Sequence, residues 1–171
     1  QSQKIFEVEI DATQRFSDKH LKTIQNNYAK VPFFSEYWEE ISELFHRDYH
    51  FLVDLNTTLI EWFRTKLDIE VEFVKSSSLK IEGKKVELLI AICQEVGAES
   101  YLSPLGSKDY IEENNLFRDS GITHLYQNYS HPHYQQLYGN FIPYMSILDL
   151  LFNEGDSSLK LIRSGAGILN K

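Results

Sequence analysis

Ile69-Glu70-Val71-Glu72-Phe73-Val74 alternates apolar with acidic or apolar partners in a strand-like rhythm, the period-two signature of a β-strand with one face turned inward. What lies downstream sets the fold class. Lys84 to Val96 carries Val86, Leu89, Ile90, Cys93 and Val96 along one helical stripe, and Gly97 stands where such a helix ends. Ser100-Tyr101-Leu102 reads as a short strand, residues 106–115 as a short helix, and Ile122 to Tyr126 as a further strand after Gly121. Strand, helix, strand, helix, strand in this order predicts parallel pairing through crossover connections. The expected class is α/β, with a mostly parallel, open, Rossmann-like sheet and helices on both faces.

Outward from this segment the pattern is more helical. Lys4 to Ile10 alternates and reads as a strand. Phe16 to Lys30 reads as a helix with Leu21, Ile24 and Tyr28 on one face and Ser17 at its N-cap, closed by Pro32. Ser35 is expected to cap a second helix through Tyr37, Ile41, Leu44 and Phe45, and a third runs from Leu52 to Leu67. Residues 143–153 contain Ile147-Leu148-Asp149-Leu150-Leu151-Phe152, which leaves almost no polar face and predicts a buried helix. The tail from Gly155 to Lys171 is less defined. There is no repeat and no low-complexity linker, so residues 1–171 are expected to form a single domain.

Charge narrows the function classes. Lys and Arg number 17 against 25 Asp and Glu, a net charge of −8, with no dense basic stripe. That argues against a nucleic-acid partner and against an anionic membrane surface. No apolar run reaches 18 residues, and no membrane insertion is expected. Cys93 is the single cysteine, so no internal disulfide can form, which fits a reducing compartment. The chain opens with no secretory leader pattern, and a cytoplasmic protein is expected. It begins at Gln1 rather than Met, which suggests a fragment or a processed form.

In open α/β sheets, ligands sit beyond the carboxyl ends of parallel strands. Two polar loops fall there, Lys75-Ser76-Ser77-Ser78 and Ser103-Pro104-Leu105-Gly106-Ser107-Lys108. The second runs into a helix and carries a Gly and a Lys, the ingredients of an anion site; the alternative is an ordinary strand-to-helix turn with an exposed Lys108. Ser76, Ser77, Ser103 and Lys108 are expected at one edge of the sheet. His20 beside Lys19 offers a proton donor or a phosphate contact, or is an exposed helix residue. His131 and His133 have no third ligand near in sequence, and no metal is expected. No G-x-S-x-G elbow, Walker loop, H-E-x-x-H or paired C-x-x-C occurs, so no cofactor is expected. Asp149 is an exception within its apolar run. A carboxylate there needs partners: it either binds backbone N–H groups or a basic side chain and fixes the helix in place, or it accepts a proton or holds an amino group in a pocket.

Four stretches resemble the WbqC-like family. They are Lys19-His20-Leu21-Lys22-Thr23-Ile24 with Tyr28, Lys30 and Pro32; Ser76-Ser77 after a strand; Tyr101-Leu102-Ser103 with Gly106, Lys108, Asp109 and Tyr110; and Tyr134-x-Gln136 leading to Phe141-x-Pro143 and the run Ser146 to Asn153. Order and spacing agree over nearly the whole chain, although the extra first strand and aromatic turn with which family members usually begin are not seen. The resemblance implies a role in O-antigen or related surface-polysaccharide synthesis. The expected activity is transfer of glycine or another aminoacyl group to a nucleotide-linked amino sugar; the alternative is a non-catalytic ligand-binding or scaffold protein of the same pathway. It further implies His20 and Asp149 as catalytic residues. Lys22, Tyr28, Ser76, Ser77, Tyr101, Ser103, Gly106, Lys108, Tyr110, Tyr134 and Gln136 would bind the small-molecule substrate.

Overall fold

The computed structural model describes residues 3–11, 13–108, 111 and 116–170. The chain folds into two compact units, one made of residues up to Glu70 with Pro132–Arg163, the other of Val71–His131 with the residues from Ser164 onward.

The first unit is helical. It contains α1 (Phe16–Tyr28), α2 (Phe34–His46), α3 (Leu52–Lys66) and α6 (Ile147–Glu154). In α2, Phe34, Tyr37, Ile41 and Leu44 recur at spacings of three and four and are all buried, which is why this segment forms an amphipathic helix. They share a core with Val31, Trp62, Leu148, Leu151 and Phe152. Leu151 and Phe152 are 0% exposed, and the Phe152 ring lies 5.3 Å from Tyr28 and 5.1 Å from Phe34. Glu40 ties α2 to α3, accepting hydrogen bonds from Trp62 Nε1 at 2.8 Å and Lys66 Nζ at 2.6 Å.

Local signals in this unit were met unevenly. Helix α6 starts as its sequence demands, with Ser146 Oγ accepting from Leu148 N–H. Ser17 and Ser35 instead lie inside the first turns of α1 and α2, whose N-caps are Arg15 and Phe33. Residues 4–10 do not form the expected strand. A 3-10 turn at Ile5–Glu7 precedes a single antiparallel bridge between Glu9 and Phe51. Ile5 is 79% exposed and Phe6 46%, while Val8 and Ile10 are half-buried beside the bridge, so only the end of the alternating segment finds a partner.

The second unit holds α4 (Lys85–Glu95), β1 (Ser100–Pro104), α5 (Leu116–Ser120), β2 (Thr123–Gln127) and β3 (Ile168–Asn170). β1 and β2 pair in parallel, as the order of elements predicted, with Ser103 opposite Tyr126. β3 then pairs antiparallel with β2, giving the order β1-β2-β3. The core is Val86, Cys93, Ile111, Phe117 and Ile122. Gly97 ends the α4 segment at φ 67°, with Gly97 N–H bonded to Gln94 O and Ala98 N–H to Cys93 O, the paired bonds of a Schellman motif.

The fold is therefore mixed α/β with a small mixed sheet. The mostly parallel open sheet expected from the sequence is not present among the described residues. Residues 69–74 are the main correction: they form no strand and join no ladder, and Val71, Phe73 and Val74 are about half exposed. The third strand comes from the tail that looked least defined. Alternation reports which side chains share a face, but a strand also needs a neighbouring backbone to pair with. Of the helix expected at 106–115, Lys108 and Ile111 are helical and follow a 3-10 turn at Leu105–Ser107; residues 109, 110 and 112–115 lie outside the described ones.

Candidate functional site

Helix α6 places Asp149 in its first turn, flanked by residues that are buried on every side, and Asp149 itself is only 5% exposed. Its carboxylate is met by two neutral donors. Tyr134 Oη donates to Oδ2 at 2.6 Å and Gln136 Nε2 donates to the same oxygen at 2.9 Å. One turn on, Asn153 Nδ2 donates to the Asp149 carbonyl at 2.8 Å. Hydrogen bonds to an ionised acceptor are short and strong, so this network fixes the carboxylate's orientation.

Gln136 does two things at once. Its Oε1 accepts from Ile142 N–H at 2.8 Å while its Nε2 also donates to Ile142 O at 3.1 Å. The carboxamide thus staples the loop 136–142 closed and ties that loop to Asp149. Gly139, at φ 65°, supplies the left-handed residue that the turn requires. The stapled loop forms one wall of a cleft of about 450 Å³, within the size range of small-molecule sites. Leu137, Tyr138, Ile142 and Met145 present apolar surface to it, and Thr23, Asn27 and Tyr28 of α1 line the other side. Asp149 and Asn153 line it as well.

The phenols beside the carboxylate are held protonated. Burial, and then the hydrogen bond with Asp149, push Tyr28 up to about 12. Tyr134 is raised for the same two reasons, in the same order. Both phenols therefore stay protonated across the physiological range, and Tyr134 donates to the carboxylate. The cleft consequently offers one oriented acid, neutral hydrogen-bonding groups and an apolar wall.

The structure brings together four of the residues singled out from the sequence, Tyr28, Tyr134, Gln136 and Asp149. Two others of the same unit lie apart from this cleft. His20 is exposed on α1, its Nδ1 2.8 Å from Phe16 O and its ring stacked 6.1 Å from Phe45. Lys22 is exposed on α1 and is absent from the cleft lining.

The remaining candidates belong to the second unit. Ser103 is not a loop residue; it sits in β1, 1% exposed, with Oγ 2.7 Å from His124 Nε2. Tyr101 stacks on Phe117 at 5.1 Å. Ser76 and Ser77 lie in an exposed 3-10 turn, Ser76–Ser78. Because residues 69–74 join no ladder, the reason for expecting these serines beside Ser103 no longer holds. Gly106 and Lys108 are exposed, and a side chain at Gly106 would meet nothing within 4 Å, so no close backbone approach explains that glycine. Tyr110 lies outside the described residues. No group of three or more metal-binding side chains occurs among the described residues.

Comparison with known proteins matches residues 1–161 to the WbqC-like protein family. The chain belongs to that family. WbqC-like proteins are associated with polysaccharide biosynthesis. The chain is also 29% identical, over 163 residues, to the uncharacterized protein Rv1507c of Mycobacterium tuberculosis, a match that covers 94% of this chain and 70% of that protein. No solved structure matches. No helix among the described residues is long and apolar enough to cross a membrane.

Sequence reasoning missed several residues of this WbqC-like cleft. Asn153 stands four residues after Asp149, and that spacing places both on one helix face. Thr23 and Asn27 share the same spacing on α1, leading to Tyr28. Leu137, Tyr138, Ile142 and Met145 come from an irregular loop whose shape depends on the Gln136 staple, and periodicity carries no signal for that.

Proposed function

We propose that this WbqC-like protein is a transferase of surface-polysaccharide synthesis that moves glycine or another aminoacyl group onto the amine of a nucleotide-linked amino sugar. The single observation that carries this reading is Asp149, a 5%-exposed carboxylate lining a cleft and held by Tyr134 and Gln136. In the reaction the sugar amine attacks the carbonyl carbon of an activated aminoacyl ester or thioester. A C–N bond forms and the bond from that carbon to the leaving oxygen or sulfur breaks. Asp149 takes the proton that the nitrogen must lose and passes it to the departing oxygen or sulfur. Among the described residues no Ser, Cys or Lys lines the cleft, which supports direct attack over a covalent acyl-enzyme. Positioning of the amine and the acyl donor then supplies most of the rate enhancement.

One observation favours the non-catalytic alternative of a binding or scaffold protein. Asp149 is already well satisfied by its own neighbours, as a purely structural carboxylate would be. Mass spectrometry of the protein incubated with nucleotide-linked amino sugars and aminoacyl thioesters separates the two. A sugar product heavier by one aminoacyl group, lost in Asp149→Asn while the melting temperature stays within a few degrees, supports the transferase. Ligand-dependent stabilisation with no product across the panel supports the binding protein.

A further inference from the structure

We propose that the Asp149 cleft takes the amine-bearing ring of its ligand and rejects phosphate, so that the nucleotide part is held outside it. This rests on the reading of the cleft as an amino-sugar site and adds a division of labour to it.

The charge of the lining is the first ground. Among the described residues, the cleft lining contains the Asp149 carboxylate and no lysine, arginine or histidine. Phosphate recognition relies on cations or on clustered backbone N–H groups. A phosphate placed here would meet a negative charge and no positive one, in a partly desolvated site where like-charge repulsion is least screened. An ammonium group meets the opposite situation. The second ground is the character of the walls. Leu137, Ile142 and Met145 are each more than 40% exposed, so the loop offers apolar contact to the C–H face of a ring. Thr23 and Asn27 of α1 also line the cleft; their hydroxyl and amide nitrogen donate to the Lys19 and Thr23 carbonyls, which leaves the Asn27 amide oxygen and a second amide hydrogen for a ligand hydroxyl. The third ground is rigidity. The Gln136 staple sets the distance between the apolar wall and the carboxylate, because the same carboxamide bonds Ile142 and Asp149.

The test uses the whole chain and simple probes, with no acyl donor present. Methyl glycosides of 2-, 3- and 4-amino hexoses, their N-acetyl forms and glucose 1-phosphate are titrated by protein-detected NMR. At least one free amine should bind tenfold or more tighter than its N-acetyl form and than glucose 1-phosphate. Asp149→Asn should erase that preference, and Met145→Trp, which fills the cleft without touching the carboxylate, should abolish binding of the amine. Equal or tighter binding of glucose 1-phosphate, no free amine preferred over its N-acetyl form, or amine binding that survives Met145→Trp would each overturn the proposal. Binding of the amine as expected, without any transfer when donor is added, sinks the transferase reading and leaves this inference standing. Transfer activity combined with a preference for phosphate in the cleft sinks this inference alone.

Discussion

Replacing Tyr134 by Phe removes one hydroxyl and keeps the ring that packs edge-on against Phe141 at 5.1 Å. The lost interaction is a 2.6 Å bond to a carboxylate that is 5% exposed. A hydrogen bond to a charged group contributes about 1.5–3 kcal/mol. Asp149 keeps its bond from Gln136, so the middle of that range applies, and Tyr134→Phe should cost about 2 kcal/mol. In an Asp149→Asn background the same bond is neutral at both ends and roughly half as strong, so the cost should fall to about 1 kcal/mol. Urea denaturation of the four proteins at a common slope gives the cycle. The pH dependence adds a second readout. Tyr134 titrates in the folded state above a phenol's ordinary value of about 10, so its contribution is fully present below that pH. It is lost as pH rises through the raised value, and the gap between the native protein and Tyr134→Phe should narrow above about pH 10. A cost under about 0.5 kcal/mol, or one equal in both backgrounds, would refute the charge-assisted network.

The other predictions concern the frame around it. Leu151→Ala, at a position with 0% exposure in the helical core, should destabilise by about 2–5 kcal/mol, read as a lowered urea midpoint. Gly155 closes α6 at φ 50° and ψ −130°, and a Cβ there would lie 2.6 Å from Phe33 Cδ1. Gly155→Ala should therefore lower the melting temperature by an amount equivalent to at least about 1–3 kcal/mol, and Gly155→Ala in a Phe33→Ala background should cost measurably less. The Lys66 ammonium, with Trp62 Nε1, holds the Glu40 carboxyl below its ordinary range. Its contribution is present above that range and lost as pH falls through the lowered value, so Glu40→Gln should be less stable than the native protein near neutral pH. The difference should shrink on acidification; a constant difference from neutral to strongly acidic pH would contradict the pairing.

What the sequence revealed followed from local physics. The helices α1 to α4 were legible because each buries a stripe at three- and four-residue spacing, and Gly97 marked the end of α4. Parallel pairing of β1 with β2 followed from the alternation of elements. Ile69 to Val74 misled because its alternation is real but its ladder is absent, while Ile168–Asn170 pairs with β2 despite a Gly-containing approach. The site divided in the same way. Asp149 stood out as a charge inside an apolar run, while Tyr134 and Gln136 were placed beside it by the family resemblance; the backbone N–H or basic partner expected for a structural carboxylate is replaced by these two neutral side chains. Ser103 looked like a loop ligand because its position in the strand was misjudged; one more strand residue turns its side chain inward, to His124. His20 offered suitable chemistry and the pitch of α1 puts it on the same face as Thr23 and Asn27, but it lies one to two turns nearer the N-terminus, where its ring stacks on Phe45 and not on the cleft.

A crystal structure with a nucleotide-linked amino sugar bound tests the central claim most directly. The account predicts the sugar amine within hydrogen-bond distance of the Asp149 carboxylate, the ring against Leu137 and Ile142, and the Tyr134 and Gln136 bonds intact. A sugar bound away from this cleft, or one seated in it with its phosphates against Asp149, would contradict the account.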